Sequence, residues 1–199
     1  MAYYVRVLTP SAGTIEPSAL ASSVANLGCR LSGDVGASSW EQLEVQDASG
    51  EALFIVERNA VFEGSLAQDE ISEFQSEVAD ARPKSGADWL QTYLATVRTI
   101  YTFQLLDQLD QGNSWTVLHK IKTTLWNAVG GIFQADGEGF SNEGGYHILW
   151  QFSDEAEGDW WMAVLRDGAW QKFKMDLGNP SHRDAFARGQ IPDGAEQTA

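Results

Sequence analysis

Residues 160–175 have the sequence WWMAVLRDGAWQKFKM, which predicts a β-hairpin with Asp167 and Gly168 at its turn. An Asp-Gly pair favours a type I′ turn, because both central positions of that turn need a positive φ. The turn sets the register, with Leu165 opposite Trp170, and the register divides the side chains between two faces. The core face holds Trp160, Met162, Val164, Phe173 and Met175, and the amphipathic face holds Trp161, Leu165, Trp170, Lys172 and Lys174.

Two further apolar segments precede this hairpin, at 131–135 and 146–150, with an acidic loop at 136–140 between the two. Their β-branched and aromatic residues predict strands, which we expect to pair across the acidic loop. Aromatic strands beside acidic loops fit either a binding face or a small active site. The sequence leaves both interpretations open.

Strands and helices are mixed along the chain and do not alternate as βαβα, which argues against a doubly wound parallel sheet. We predict an α+β fold: a mixed, largely antiparallel sheet with about four to five helices packed on it, and a C-terminal half rich in β-hairpins. The apolar spacing predicts helices at 17–27, 66–81, 114–129 and 180–188, a further helix that begins at Ser85, and strands at 3–8, 43–45, 53–56 and 99–106.

The chain contains no Pro/Ser-rich linker and no repeat of fixed period. We therefore predict a single α+β domain over residues 1–189. The loop at 107–113 is the one possible subdomain boundary, and residues 190–199 are expected to form a flexible C-terminal tail.

The chain is strongly acidic, with a formal net charge of −15 over 199 residues. Such a chain is repelled by nucleic-acid phosphates and by anionic lipid headgroups, so neither nucleic acid nor membrane is an expected partner. The same charge can steer a basic protein partner toward the chain. The chain is also rich in tryptophan: each of its eight tryptophans can bury about 150–250 Å² of surface, and together they are expected to dominate the core.

Cysteine use and hydropathy predict a cytoplasmic location. Cys29 is the single cysteine, which rules out an intramolecular disulfide and fits a reducing compartment. Arg6 interrupts the apolar run that a signal peptide would need, and no apolar run reaches the length of a membrane span.

Motifs for cofactors and metals are missing from the sequence. There is no phosphate-binding loop, and the sequence at 136–147 lacks the glycine and glutamate that an EF-hand needs at its sixth and twelfth positions. We expect no cofactor and no metal. One catalytic alternative is open: Asp136, Glu138 and His147 could form a His–carboxylate site of a small hydrolytic enzyme.

Acidic side chains form two groups without neighbouring lysines, and these groups favour a non-enzymatic module that docks a basic protein partner. An immunity protein or inhibitor of a cationic toxin has this size, charge and lack of catalytic motif. Exposed tryptophans are added to the candidate contacts because tryptophan is enriched at binding hot spots. The predicted partner-binding residues are Glu70, Glu73, Glu77, Asp80, Asp154, Glu155, Glu157, Asp159, Trp161 and Trp170.

A second alternative is a self-associating structural subunit. Trp161, Leu165 and Trp170 share the amphipathic face of the predicted hairpin at 160–175. A large apolar face of this kind could bury itself against a second copy of the chain, so a homodimer is a possible state.

Overall fold

A computed structural model describes residues 3–36, 39–106 and 114–197. The predicted α+β fold class is confirmed: among these residues, five α-helices are mixed with strands that pair largely in antiparallel ladders. The chain divides into two compact units. Unit 1 comprises Met1–Ala67 and Val97–Gly131, and unit 2 comprises Gln68–Thr96 and Ile132–Ala199. The single domain over 1–189 stays a prediction, and the boundary predicted at 107–113 lies outside the described residues.

The elements of unit 1 are β1 (Tyr3–Thr9), α1 (Pro17–Val24), β2 (Arg30–Gly33), β3 (Gln42–Gln46), β4 (Ala52–Ala60), β5 (Thr99–Leu105) and α4 (Ser114–Val129). Its strands form an antiparallel sheet in the order β2-β3-β4-β5-β1. The helix predicted at 17–27 ends earlier, at Val24, and a single 3₁₀ turn continues it to Leu27. The edge strand β2 was not predicted, because its four residues are too short to show an alternating pattern.

Trp40 is the largest side chain that is completely buried in unit 1. Its indole Nε1 donates to the carbonyl of Ile15 at 2.8 Å, and its ring lies 5.8 Å from the ring of Tyr101. The hydroxyl of Tyr101 donates to the carbonyl of Gly13 at 3.1 Å. These contacts fix the irregular segment between β1 and α1 against β5.

The helix α4 presents a buried apolar stripe, as its sequence predicts. Leu118, Ile121 and Leu125 are buried, whereas Val129, at the end of the stripe, is half-buried. The carbonyl of Val129 accepts a hydrogen bond from the Thr9 hydroxyl at 3.0 Å, which ties the end of the helix to β1.

Unit 2 combines helices with two sets of paired strands. The helix predicted at 66–81 forms over Leu66–Val78, so it ends three residues earlier than predicted. The elements of unit 2 are most of α2 (Leu66–Val78), α3 (Lys84–Leu94), β6 (Ile132–Ala135), β7 (Gly139–Phe140), β8 (Asp159–Arg166), β9 (Ala169–Asp176), α5 (Pro180–Ala187) and β10 (Glu196–Gln197).

The hairpin predicted at 160–175 is confirmed in its turn and in its register. Asp167 and Gly168 have φ values of 52° and 78°, as a type I′ turn requires, and Leu165 pairs with Trp170. The predicted core face is confirmed as well. Four of its five side chains belong to one buried cluster, and the fifth, Trp160, packs against that cluster. That cluster comprises Phe152, Met162, Val164, Phe173, Met175, Leu177 and Phe186.

The prediction that 131–135 and 146–150 pair as a hairpin is wrong. The strand β6 turns back sooner and pairs with β7, so that Ala135 lies opposite Gly139. The reason is local, because Gly137 and Gly139 both have positive φ values and allow a tight turn at 136–138. The segment at 146–150 forms no ladder of its own and adds to β7 only through hydrogen bonds such as that from the Ile148 N–H to the Phe140 carbonyl, at 3.0 Å.

The described part of the predicted tail at 190–199 contacts the rest of unit 2. Ile191 and Ala195 are partly buried and pack against the core cluster of this unit. The strand β10 pairs with β9, with Glu196 opposite Lys174. That this tail is flexible stays a prediction.

Candidate functional site

The acidic stripe predicted on α2 lies on the outward side of that helix. Ile71, Phe74 and Val78 are buried, and the ring of Phe74 meets the ring of Phe140 edge-on at 5.2 Å. This packing turns the neighbouring carboxylates outward, so that Glu73 and Glu77 are exposed and Glu70 is half-buried. Asp80 was predicted on the same helix but lies in the turn that follows it, where it is also exposed. The Glu77 carboxylate accepts a hydrogen bond of 2.7 Å from the Gln151 amide.

The second acidic group is exposed: Asp154, Glu155 and Glu157 lie on the loop before β8, and Asp159 is the first residue of β8. Arg183 of α5 fixes the backbone of this loop: its guanidinium donates to the carbonyls of Asp154 at 2.8 Å and Ala156 at 2.9 Å, and also to the carbonyl of Leu177. The same guanidinium lies 5.0 Å from the centre of the Trp150 ring. The loop is therefore anchored through its carbonyls.

Most carboxylates of these two acidic groups form no ion pair with a described lysine or arginine side chain. In the ranges that the structure describes, no ion pair involves Glu73, Asp80, Asp154, Glu155 or Glu157. Asp159 is different, because its carboxylate lies 3.0 Å from the Lys174 ammonium. This pair raises the pKa of Lys174 above its ordinary value and keeps that side chain charged.

The two predicted contact tryptophans differ in their surroundings. The Trp161 side chain is 36% exposed, and its ring meets the Tyr146 ring edge-on at 6.1 Å. Trp170 is half-buried because the Trp89 ring covers it edge-on at 5.1 Å. Lys172, on the amphipathic face of the same hairpin, has its ammonium 5.1 Å from the centre of the Tyr146 phenol ring.

Of the three residues of the catalytic alternative, His147 has its ring within the aromatic edge of the core. The ring lies 5.0 Å from Trp160 and 5.2 Å from Phe152. Its backbone is fixed by hydrogen bonds to the Trp161 carbonyl, at 3.1 Å, and from the Ala163 N–H, at 2.8 Å. These contacts give His147 a place in the packing of unit 2.

The other two residues, Asp136 and Glu138, belong to the turn between β6 and β7 and are half-buried. Ser141, which lies opposite His147, follows Glu138 by three residues in the chain. The hydrolytic site stays a prediction.

Two other reactive side chains are held in their neutral forms. Burial, with a contribution from Glu143, raises the pKa of the Tyr93 phenol above its ordinary value. Burial, with a contribution from Asp47, raises the pKa of the Cys29 thiol. A thiol that keeps its proton is a poor nucleophile and a poor metal ligand.

Metal and membrane features are missing from the described residues. Over 3–36, 39–106 and 114–197, no group of three or more His, Cys, Asp or Glu side chains is placed to hold a metal ion. Within the same ranges, no helix has the length and apolar character that crossing a bilayer requires.

The comparisons with known proteins give no relative: no protein-family model, no curated protein and no solved structure matches the chain.

Proposed function

We propose that this chain is a non-enzymatic, acidic protein-binding module that docks a basic protein partner. The observation that carries the proposal is the exposed row of carboxylates on α2 and in the turn that follows it, where Glu73 and Asp80 have no ion pair within the described part of the chain. Like charges on one helix face cost a few tenths of a kcal/mol per pair, and a cationic partner would remove that cost. The loop at 154–159 adds further carboxylates. The backbone that carries them is already fixed by the hydrogen bonds from Arg183.

The biological setting of the proposal is an immunity protein or inhibitor of a cationic toxin in the cytoplasm. Acidic inhibitors of basic enzymes use complementary charge to speed association. Trp161, which is partly exposed, supplies an apolar contact of the kind that dominates binding energy. The lone, protonated Cys29 fits a reducing compartment.

A pair of neutral substitutions, one on α2 and one in the turn that follows it, tests the proposal. The partner is first captured from the source cells with the tagged chain, and we expect it to carry a positive net charge. Its association with the variant Glu73→Gln/Asp80→Asn should then be slower by about threefold or more at low salt, with nearly unchanged dissociation. Stopped-flow fluorescence or surface plasmon resonance with the purified partner measures both rates.

The matched control is Asp184→Asn/Asp193→Asn, which removes from the same unit two exposed negative charges that belong to neither acidic group. This control should associate at nearly the wild-type rate. Equal slowing in the two double variants would show that only net charge matters and would remove α2 as the docking face. A captured partner that is neutral or acidic would contradict the proposal itself.

A further inference from the structure

A concave surface in unit 1 gathers carboxylates that the sequence pattern does not bring together. Its volume is about 760 Å³, which is within the range of about 300–1,000 Å³ that is usual for ligand pockets. No lysine or arginine is among the described residues that line it. The lining residues are Ser32, Gly33, Asp34, Glu41, Gln42, Glu44, Glu57, Asn59 and Leu66.

The sheet of unit 1 explains why these side chains share one face. Glu44 pairs with Ser32 of β2, and Gln42 pairs with Glu57 of β4, so the four residues project from the same side. The alternate residues of β3 point to the other side, where Leu43 and Val45 are buried. The lining residues are exposed or half-buried, so this end of the sheet face is open to solvent.

Asp34 is fixed at the rim of this surface in its charged form. Its carboxylate accepts hydrogen bonds from the backbone N–H groups of Glu41, at 3.0 Å, and Gln42, at 3.1 Å. These two bonds lower the pKa of Asp34 below its ordinary value. The Asp34 carboxylate is therefore ionised at neutral pH and is held in a fixed position beside Glu41.

Two independent features indicate the chemistry of the occupant. The four carboxylates in the lining, those of Asp34, Glu41, Glu44 and Glu57, belong to different strands or to residues beside them, and this arrangement suits several cationic groups spread over a chain. Leu66 lines the same surface and is 87% exposed, and Phe62, four residues earlier in the chain, is 63% exposed. Exposed apolar side chains beside a concave surface are typical of protein contacts.

We infer that this concave surface binds a lysine- and arginine-containing segment of the basic partner protein. The inference rests on the proposed function, and it adds a second docking surface and its recognition chemistry. Carboxylates would receive the cationic side chains, and Leu66 and Phe62 would contact the apolar stems that lysine and arginine carry. A nucleic acid would be repelled from four carboxylates, which leaves protein as the occupant with complementary charge.

A synthetic dodecapeptide of alternating lysine and alanine tests this inference on the full chain. Titration of the isotope-labelled protein, followed through its amide resonances, should give saturable shifts that are largest in β2, β3 and β4. The variant Glu41→Gln/Glu57→Gln should bind about fivefold more weakly or worse, because it removes two charges whose carboxylates accept no protein hydrogen bond in the described structure. Leu66→Ala should also weaken binding of the captured partner, without loss of folding.

The matched control is Glu16→Gln/Glu51→Gln, which removes two exposed charges from unit 1 outside the concave surface. It should bind the peptide within about twofold of wild type, because screening weakens charges more than about a Debye length away. Shifts spread over the whole chain, or equal losses in both double variants, would overturn the inference. The variant Glu41→Gln/Glu57→Gln could keep full affinity for the captured partner while Glu73→Gln/Asp80→Asn loses affinity. In that case the inference fails and the proposed function stands.

Discussion

Replacement of Trp40 by alanine is expected to lower the free energy of unfolding by about 3–5 kcal/mol, as is typical of large aromatic residues removed from a core. The side chain is completely buried, and its indole N–H satisfies the carbonyl of Ile15, which is itself buried. The substitution would leave a cavity against Tyr101 and an unpaired carbonyl. Urea denaturation followed by far-ultraviolet circular dichroism measures the change.

Two companion variants separate the contributions at this position. Trp40→Phe keeps an aromatic ring but leaves the Ile15 carbonyl unpaired, so its cost should be smaller, about 1–3 kcal/mol. Trp115→Ala removes an indole that is 53% exposed and should cost clearly less than Trp40→Ala. Equal losses for Trp40→Ala and Trp115→Ala would contradict the placement of Trp40 in the core of unit 1.

Gly131→Ala is expected to destabilise the chain by about 3–5 kcal/mol, which combines backbone strain with overpacking. Gly131 has a φ of +116°, which L-residues rarely adopt. A Cβ at this position would lie near the Leu8 carbonyl oxygen, well inside van der Waals contact, and 3.2 Å from the Thr9 Cβ. Because the nearest neighbour is backbone, relief would require β1 to move.

The adjacent glycine gives a sharp control. Gly130 also has a positive φ, of +70°, but a Cβ there would have no neighbour within 4 Å. Gly130→Ala should therefore cost only the strain of the left-handed region, about 1–2 kcal/mol. Thermal or urea denaturation of the two variants side by side makes the comparison. A larger loss for Gly130→Ala than for Gly131→Ala would contradict the described approach of Gly131 to β1.

Local chemistry explains why the hairpin at 160–175 could be predicted down to its register. The Asp167-Gly168 turn has one favoured geometry, and a period-2 pattern then assigns every side chain to a face. The α4 stripe of Leu118, Ile121 and Leu125 was predictable for a similar reason, since a helical period depends only on residues of the same segment.

The hairpin at 131–150 shows the limit of this reasoning. Its segments contain several glycines, and either a long loop at 136–140 or a tight turn at 136–138 satisfies the apolar pattern. The structure has the tight turn, followed by a second turn closed by Asn142, whose side chain accepts from the N–H groups of Gly144 and Tyr146. Such side-chain closure of a turn leaves only a weak trace in sequence.

The candidate sites depend on contacts between distant parts of the chain, which is why the sequence indicated only part of them. The stripe on α2 could be predicted because it is helical and continuous. Arg183 lies 29 residues from Asp154, whose carbonyl it binds, and no pattern joins the two. The concave surface of unit 1 needs the pairing of β2 with β3, and β2 was not predicted.

The salt dependence of the association rate between the wild-type chain and its purified partner decides whether carboxylates steer binding. We expect the association rate constant to fall by at least about tenfold from low salt to about 0.5 M salt, while the dissociation rate changes little. Such a response is expected when the carboxylates of α2, the loop at 154–159 and the concave surface of unit 1 attract a cationic protein. An association rate that does not depend on salt would contradict charge-steered docking of a cationic partner.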